Sequence, residues 1–106
     1  MLIIEEILTE EYWRCVDTIQ AITEQLAELP KGTIQKRTRG NREYYYLKYR
    51  DGDKVVSKYV RQEDVDDIAE KLEYRKSLLR IIKTEKATQK VAVRGLGKMP
   101  DSRIQR

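Results

Sequence analysis

The chain has 106 residues, of which 38% are charged, with a net charge of +4, a single cysteine and no histidine. This length suits one small domain with a modest core, and the lack of histidine excludes histidine-based triads and most zinc sites. Cys15 alone excludes an intrachain disulfide framework and is typical of a reducing compartment, so we expect it to be a small core residue.

The first residues combine a short apolar run with acidic flanks and lack the basic start of a secretory signal. No segment approaches the roughly 18 apolar residues that a membrane-spanning helix needs. We therefore expect a cytoplasmic protein with no membrane partner.

Residues 1–30 hold seven acidic residues against one arginine, a net charge of −6, and predict an amphipathic helix. Their apolar residues recur at steps of three and four, the spacing of one helical face: Tyr12, Val16, Ile19, Ile22, Leu26 and Leu29. The helix begins either at a Thr9 cap or near Glu5. Pro30 ends it, because the residue before a proline avoids helical geometry.

Residues 31–61 reverse the charge, with ten basic residues against three acidic ones and a net charge of +7. Gly-Asn and Asp-Gly pairs separate runs of Tyr and Val, a pattern that favours strands joined by tight turns. We predict a three-stranded antiparallel meander with strands at Thr33–Thr38, Arg42–Arg50 and Lys54–Arg61.

Side chains alternate between the two faces of a strand. Tyr45, Leu47 and Tyr49 share the uncharged face of the second strand, so we expect that face to join the core. In the third strand the core face begins at either Val55 or Val56. The sequence leaves this open, because a two-residue and a three-residue turn at the Asp-Gly-Asp sequence give opposite registers.

Residues 62–86 predict a second amphipathic helix of about 25 residues, with acidic residues in its first turns and basic residues late, as the helix dipole favours. Its apolar stripe is Val65, Ile68, Leu72, Leu79 and Ile82. Two long helices predict an antiparallel pair, and their shared face would hold Val16, Ile19, Ile22, Leu26, Val65, Ile68, Leu72 and Leu79. The result is an α+β fold: a single α-βββ-α domain at residues 1–90 and a flexible basic tail at 91–106.

Catalysis is not predicted, because the carboxylates lie in helical charge mosaics without a partner nucleophile or base. No cofactor and no metal are expected either. The Asp51-Gly52-Asp53 sequence is typical of a hairpin turn, and the further oxygen ligands of a calcium loop are missing.

The basic, Tyr-rich meander predicts nucleic-acid binding, because Lys and Arg neutralise phosphates and tyrosines can stack on bases. The candidate residues are Lys36, Arg37, Arg39, Arg42, Lys48, Arg50 and Lys58. The competing interpretation is that a +7 sheet neutralises the −6 helix of its own protein.

A second hypothesis is a protein-directed inhibitor or adaptor that uses the helices. Acidic helix faces can dock on a basic partner, and an exposed tryptophan can contact one. The candidates are Trp13, Glu24, Glu28, Asp64, Asp67 and Glu70. A second copy of the chain, joined through the long helices, is a further expected partner.

The sequence from Leu29 to Ile34 reads LPKGTI, Tyr44 to Gly52 reads YYYLKYRDG, and Lys54 to Val60 reads KVVSKYV. This pattern resembles a family of small uncharacterised proteins of bacterial phages and mobile elements. The resemblance implies a phage or mobile-element accessory factor and names no activity.

Two weaker likenesses concern the partner. A basic three-stranded sheet followed by a helix is similar to the arm-site DNA-binding modules of phage integrases, which implies a nucleic-acid or nucleoprotein partner. The size and charge also resemble those of small inhibitors of CRISPR nucleases, which share no common motif. For the second hypothesis this likeness implies a host CRISPR nuclease as the partner.

Overall fold

A computed structural model describes residues 3–100 of the chain. It confirms the predicted α+β order of helix, three strands and helix, with a short 3₁₀ turn at Gln62–Asp64. The elements are α1 (Ile4–Glu28), β1 (Thr33–Arg39), β2 (Arg42–Asp51), β3 (Lys54–Val60) and α2 (Val65–Leu96).

Helix α1 begins at Ile4, so the predicted start near Glu5 is confirmed and the Thr9 cap is wrong. The Thr9 hydroxyl instead donates to the Glu5 carbonyl, at 2.9 Å, from inside the helix. The helix ends at Glu28, two residues before Pro30, as the geometry before a proline requires.

The sheet is an antiparallel meander in the order β1-β2-β3, as predicted. Asp51 pairs with Lys54, so the second hairpin has a two-residue turn at Gly52-Asp53, and Gly52 takes the positive φ of 62° that such turns demand. This turn fixes the register that the sequence left open.

The register places Leu47 opposite Lys58 and Tyr45 opposite Val60, so the core face of β3 begins at Val56 and not at Val55. Leu47 and Val60 are buried on this side, which we term the inner face. It holds Ile34, Lys36, Thr38, Glu43, Tyr45, Leu47, Tyr49, Asp51, Lys54, Val56, Lys58 and Val60. The predicted core side of β2 is therefore confirmed.

The chain divides into two compact units, and α2 contributes to both. The helical unit combines the residues up to Ala27 with those from Leu78 onwards, and the sheet unit is Glu28–Ser77. The prediction of one domain over residues 1–90 stays a prediction.

Within the helical unit, α1 lies antiparallel to the second half of α2. Of the α2 residues predicted for their shared face, Val65, Ile68 and Leu72 belong instead to the sheet unit. An ion pair joins Arg14 to Glu85 at 2.9 Å, and another joins Glu5 to Lys98 at 3.2 Å. Between these two ion pairs, a Cβ on Gly95 would lie only 2.9 Å from a methyl of Leu8, so the glycine permits close approach of the helices.

Glu85 is the polar centre of this helix pair, with a side chain only 14% exposed. Its pKa is lowered from the ordinary 4.5, first by the hydrogen bond from the Cys15 thiol and then by the Arg14 guanidinium. Cys15 is fully buried, as predicted, and burial raises its pKa to about 11.

The predicted core stripe of α2 is wrong at Leu79, which is 46% exposed, whereas Leu78 is buried. In the sheet unit the less exposed positions of α2 include Val65, Ile68, Leu72 and Arg75. In the helical unit they include Leu78, Ile82, Glu85, Gln89, Ala92 and Leu96. The step from Arg75 to the buried residue is three, which selects Leu78, where the stripe predicted a step of four to Leu79.

Helix α2 continues to Leu96, so residues 91–96, predicted to start the tail, are helical. Residues 101–106 of that predicted tail lie outside the described residues. In the part of the chain that the structure covers, neither helix is both long and apolar enough to cross a membrane.

Candidate nucleic-acid interface

The side of the sheet opposite the inner face is termed the basic face. Alternation and register place on it Thr33, Gln35, Arg37, Arg39, Arg42, Tyr44, Tyr46, Lys48, Arg50, Val55, Ser57 and Tyr59. None of these residues is buried. The two carboxylates within the strands, Glu43 and Asp51, belong to the inner face, so the basic face has five cations and no acidic residue.

The five cations of the basic face are Arg37, Arg39, Arg42, Lys48 and Arg50, which are five of the seven predicted site residues. All five are exposed, and none forms a salt bridge within residues 3–100. Their charge is thus left available to an anionic partner.

Lys36 and Lys58, the other two predicted residues, lie on the inner face. Lys36 forms an ion pair with Glu43 at 2.8 Å, and the hydrogen bond from Lys36 to this carboxylate raises the lysine pKa. The structure therefore does not bring them together with the other five. Strand alternation alone could have separated Lys36 from Arg37, because neighbours in a strand point to opposite faces.

Two arginines oppose each other directly at the first hairpin, where Arg39 pairs with Arg42 across the Gly40-Asn41 turn. Like charges directly opposite in a sheet are destabilising. Since neither arginine has a carboxylate partner among the described residues, this end of the basic face concentrates positive charge at a cost in stability.

An aromatic row crosses the centre of the same face. The guanidinium carbon of Arg37 lies 4.7 Å from the ring centre of Tyr46, within the range of a cation–π interaction. Tyr46 in turn contacts Tyr59, its direct partner on β3, edge to face, with ring centres 5.9 Å apart. Sequence reasoning did not select Tyr59, because its face depended on the undetermined turn length.

A shallow depression of about 400 Å³ opens where β2 runs past the end of β3. Its lining includes Arg42, Tyr44 and Tyr59 of the basic face and Glu43, Tyr45 and Val60 of the inner face. The depression therefore lies at the end of the sheet, between its two faces, and only part of its lining belongs to the basic face.

Residues 12–70 match the family described as Domain of unknown function (DUF6788). The match spans more than half of the chain. The chain belongs to this family. The comparisons with curated proteins and with solved structures found no significant match. The DUF6788 segment contains all three strands, and with them the whole basic face.

The residues predicted for protein binding also lie in the DUF6788 segment, in the helices and the 3₁₀ turn. Trp13 is half-buried and contacts Tyr12 edge to face at 5.1 Å. Asp64 forms an ion pair with Arg61 at 3.3 Å, and Asp67 forms one with Lys71 at 3.0 Å. The exposed members of the set that form no described ion pair are Glu24, Glu28 and Glu70.

Proposed function

We propose that this DUF6788 protein binds nucleic acid, alone or within a nucleoprotein complex, through the basic face and without catalysing a reaction. Its five cations neutralise phosphates and release the counterions condensed on them, which drives association. The hydroxyls and rings of the tyrosines add hydrogen bonds and stacking. The phage or mobile-element setting is part of the proposal and rests on the sequence resemblance.

The opposed pair of Arg39 and Arg42 carries this proposal. Two like charges that repel each other and have no carboxylate partner in the described part of the protein are explained if a bound anion neutralises them. Lys36 shows the opposite arrangement on the inner face, where Glu43 has already neutralised the cation. The competing interpretation, in which the sheet's charge serves its own protein, therefore fits the inner face better than the basic face.

The protein-directed alternative has less support. It relies on acidic helix faces, yet two of its five carboxylates, those of Asp64 and Asp67, already form ion pairs within the sheet unit. Trp13 is half-buried against Tyr12. A host nuclease as partner rests only on likeness of size and charge.

The test is the substitution Arg42→Glu, measured for both stability and binding. Stability should rise by about 0.2–1 kcal/mol, because a like-charge cross-strand pair becomes an opposite-charge pair. Affinity for a fluorescent oligonucleotide should fall at least tenfold at low salt, because a phosphate contact becomes a repulsion. A merely structural role for Arg42 would not move the two quantities in opposite directions.

The matched control is Lys58→Glu, which changes the net charge equally in the same sheet unit on the inner face. It should reduce affinity far less than Arg42→Glu. Equal losses of affinity in the two variants would show that only net charge matters, and would contradict binding at the basic face.

A further inference from the structure

The basic face is divided by charge across the strands. Its five cations all lie on β1 and β2, whereas the residues that β3 contributes are uncharged: Val55, Ser57 and Tyr59. Val55 and Tyr59 are each 55% exposed, so both uncharged side chains are open to a ligand. The face thus has a cationic side and a neutral, partly apolar side.

The two sides are matched residue by residue along β2 and β3. Arg50 lies opposite Val55, Lys48 opposite Ser57, and Tyr46 opposite Tyr59. Directly opposed side chains in an antiparallel pair are about 5 Å apart at Cβ. A ligand that lies along these strands therefore meets a positive charge on β2 at Lys48 and Arg50, an uncharged side chain on β3, and two aromatic rings at the Tyr46–Tyr59 pair.

Tyr59 is the ring best placed to accept a base. Tyr46 already has the Arg37 guanidinium 4.7 Å from its ring centre, so part of that ring is covered. Tyr59 is more than half exposed, and its edge-to-face contact with Tyr46 restricts its orientation. A ring that is both open and held in place loses little conformational entropy when a base stacks on it.

We infer that the ligand of the basic face is a single-stranded nucleic acid, whose phosphates follow Lys48 and Arg50 while its bases lie over β3 and stack on Tyr59. This inference rests on the proposed function and specifies its ligand. In a duplex the bases are stacked and paired inside, so the neutral side of the face would contact nothing suited to it. In a single strand the backbone and the bases lie side by side, as the two sides of the face do.

The experiment compares four fluorescent probes of equal length: single-stranded DNA, single-stranded RNA of the same sequence, the DNA duplex, and an abasic DNA strand. A single strand with bases should bind at least tenfold more tightly than the duplex and the abasic strand. Tyr59→Leu should weaken single-strand binding roughly tenfold without changing its salt dependence, since stacking and phosphate contacts are separate contributions. Tyr59→Phe, which keeps the ring, should retain the affinity and shows that the site tolerates substitution.

The outcomes separate the two proposals. If the duplex or the abasic strand binds as tightly as the normal single strand, or Tyr59→Leu binds as the wild type does, the inference is overturned and nucleic-acid binding stands. If no probe binds even at low salt, the proposed function falls as well. A preference between the DNA and RNA single strands supports the inference in either direction and identifies the sugar that the face accepts.

Discussion

Arg37 and Tyr46 lie diagonally across β1 and β2, with the guanidinium carbon 4.7 Å from the ring centre. The direct partner of Arg37 is Tyr44, so the arginine side chain reaches along the strand to the next residue of the same face. A cationic group held over a ring is restricted in position before any ligand arrives, and it keeps its charge exposed.

A double-mutant cycle with Arg37→Gln and Tyr46→Leu tests this contact. The coupling free energy for unfolding should be about 0.5–1 kcal/mol, the usual size of an exposed cation–π interaction. Urea denaturation of the four proteins measures it. Fully additive single effects would show that the two side chains do not interact in solution.

Two lysines on neighbouring strands can be compared to test which face of the sheet binds the nucleic acid. Lys48 lies on the basic face and Lys58 on the inner face, and both are exposed. Lys48→Gln should weaken binding for every oligonucleotide sequence, because one phosphate contact is lost. The slope of the logarithm of the association constant against the logarithm of salt should become shallower by about 0.7 for a single strand or about 0.9 for a duplex. Lys58→Gln should leave both quantities unchanged, and a comparable loss in that variant would place the contact elsewhere.

Gly32 stands directly before β1 with a φ of +116°, a conformation that side chains rarely adopt. A Cβ there would meet the carbonyl oxygen of Lys48 and lie 2.9 Å from the Cβ of Tyr49. Gly32→Ala should therefore destabilise the protein by about 2–4 kcal/mol, as backbone strain and overpacking combine.

Gly40→Ala is the control for this prediction. Its φ of +59° is also positive, but nothing lies within 4 Å of the added Cβ, so only backbone strain of about 1–2 kcal/mol applies. Chemical denaturation compares the two variants. If Gly40→Ala proves as costly as Gly32→Ala, the close approach of Gly32 to β2 does not contribute.

The Glu85 carboxylate makes part of the stability pH-dependent. Because its pKa in the folded protein is below the ordinary 4.5, its contribution is complete above that value and is lost as the pH falls through the folded pKa. Glu85→Gln removes the ionised form. The stability difference between wild type and variant should be largest at neutral pH and shrink as the pH falls below the ordinary 4.5. Thermal unfolding at a series of pH values measures this difference.

Glu24→Gln is a suitable comparison, since Glu24 is an exposed carboxylate of α1 with no described ion pair. It should change stability little at any pH. A Glu85→Gln difference that stays constant down to acid pH would mean that the charge of this carboxylate does not stabilise the helix pair.

The sheet could be predicted closely because its signals are local. Tyr and Val runs and two glycine-containing turns determine strands whose observed bounds differ from the predicted ones by one residue. The face of β3 could not be predicted, because one residue more or less in the turn reverses it. Leu79 was assigned to the core because a step of four was assumed after Arg75, whereas the helix buries Leu78, three residues after Arg75.

The candidate site could be predicted as a segment but not as a surface. Charge alone identified the meander, yet it grouped Lys36 and Lys58 with cations of the opposite face. Tyr59 was not selected because its side depends on the register of β3 against Tyr46. Composition determines how much charge a sheet has, whereas pairing determines which charges lie together.

The most direct test is the salt dependence of binding for wild type and the Lys48→Gln/Arg50→Gln variant with a fluorescent single strand. If all five cations contact phosphates, the logarithm of the association constant should fall with the logarithm of salt with a slope of about −3.5. The variant should show a slope of about −2, because two contacts are lost. No binding at low salt, or the same slope in both proteins, would contradict phosphate recognition by the basic face.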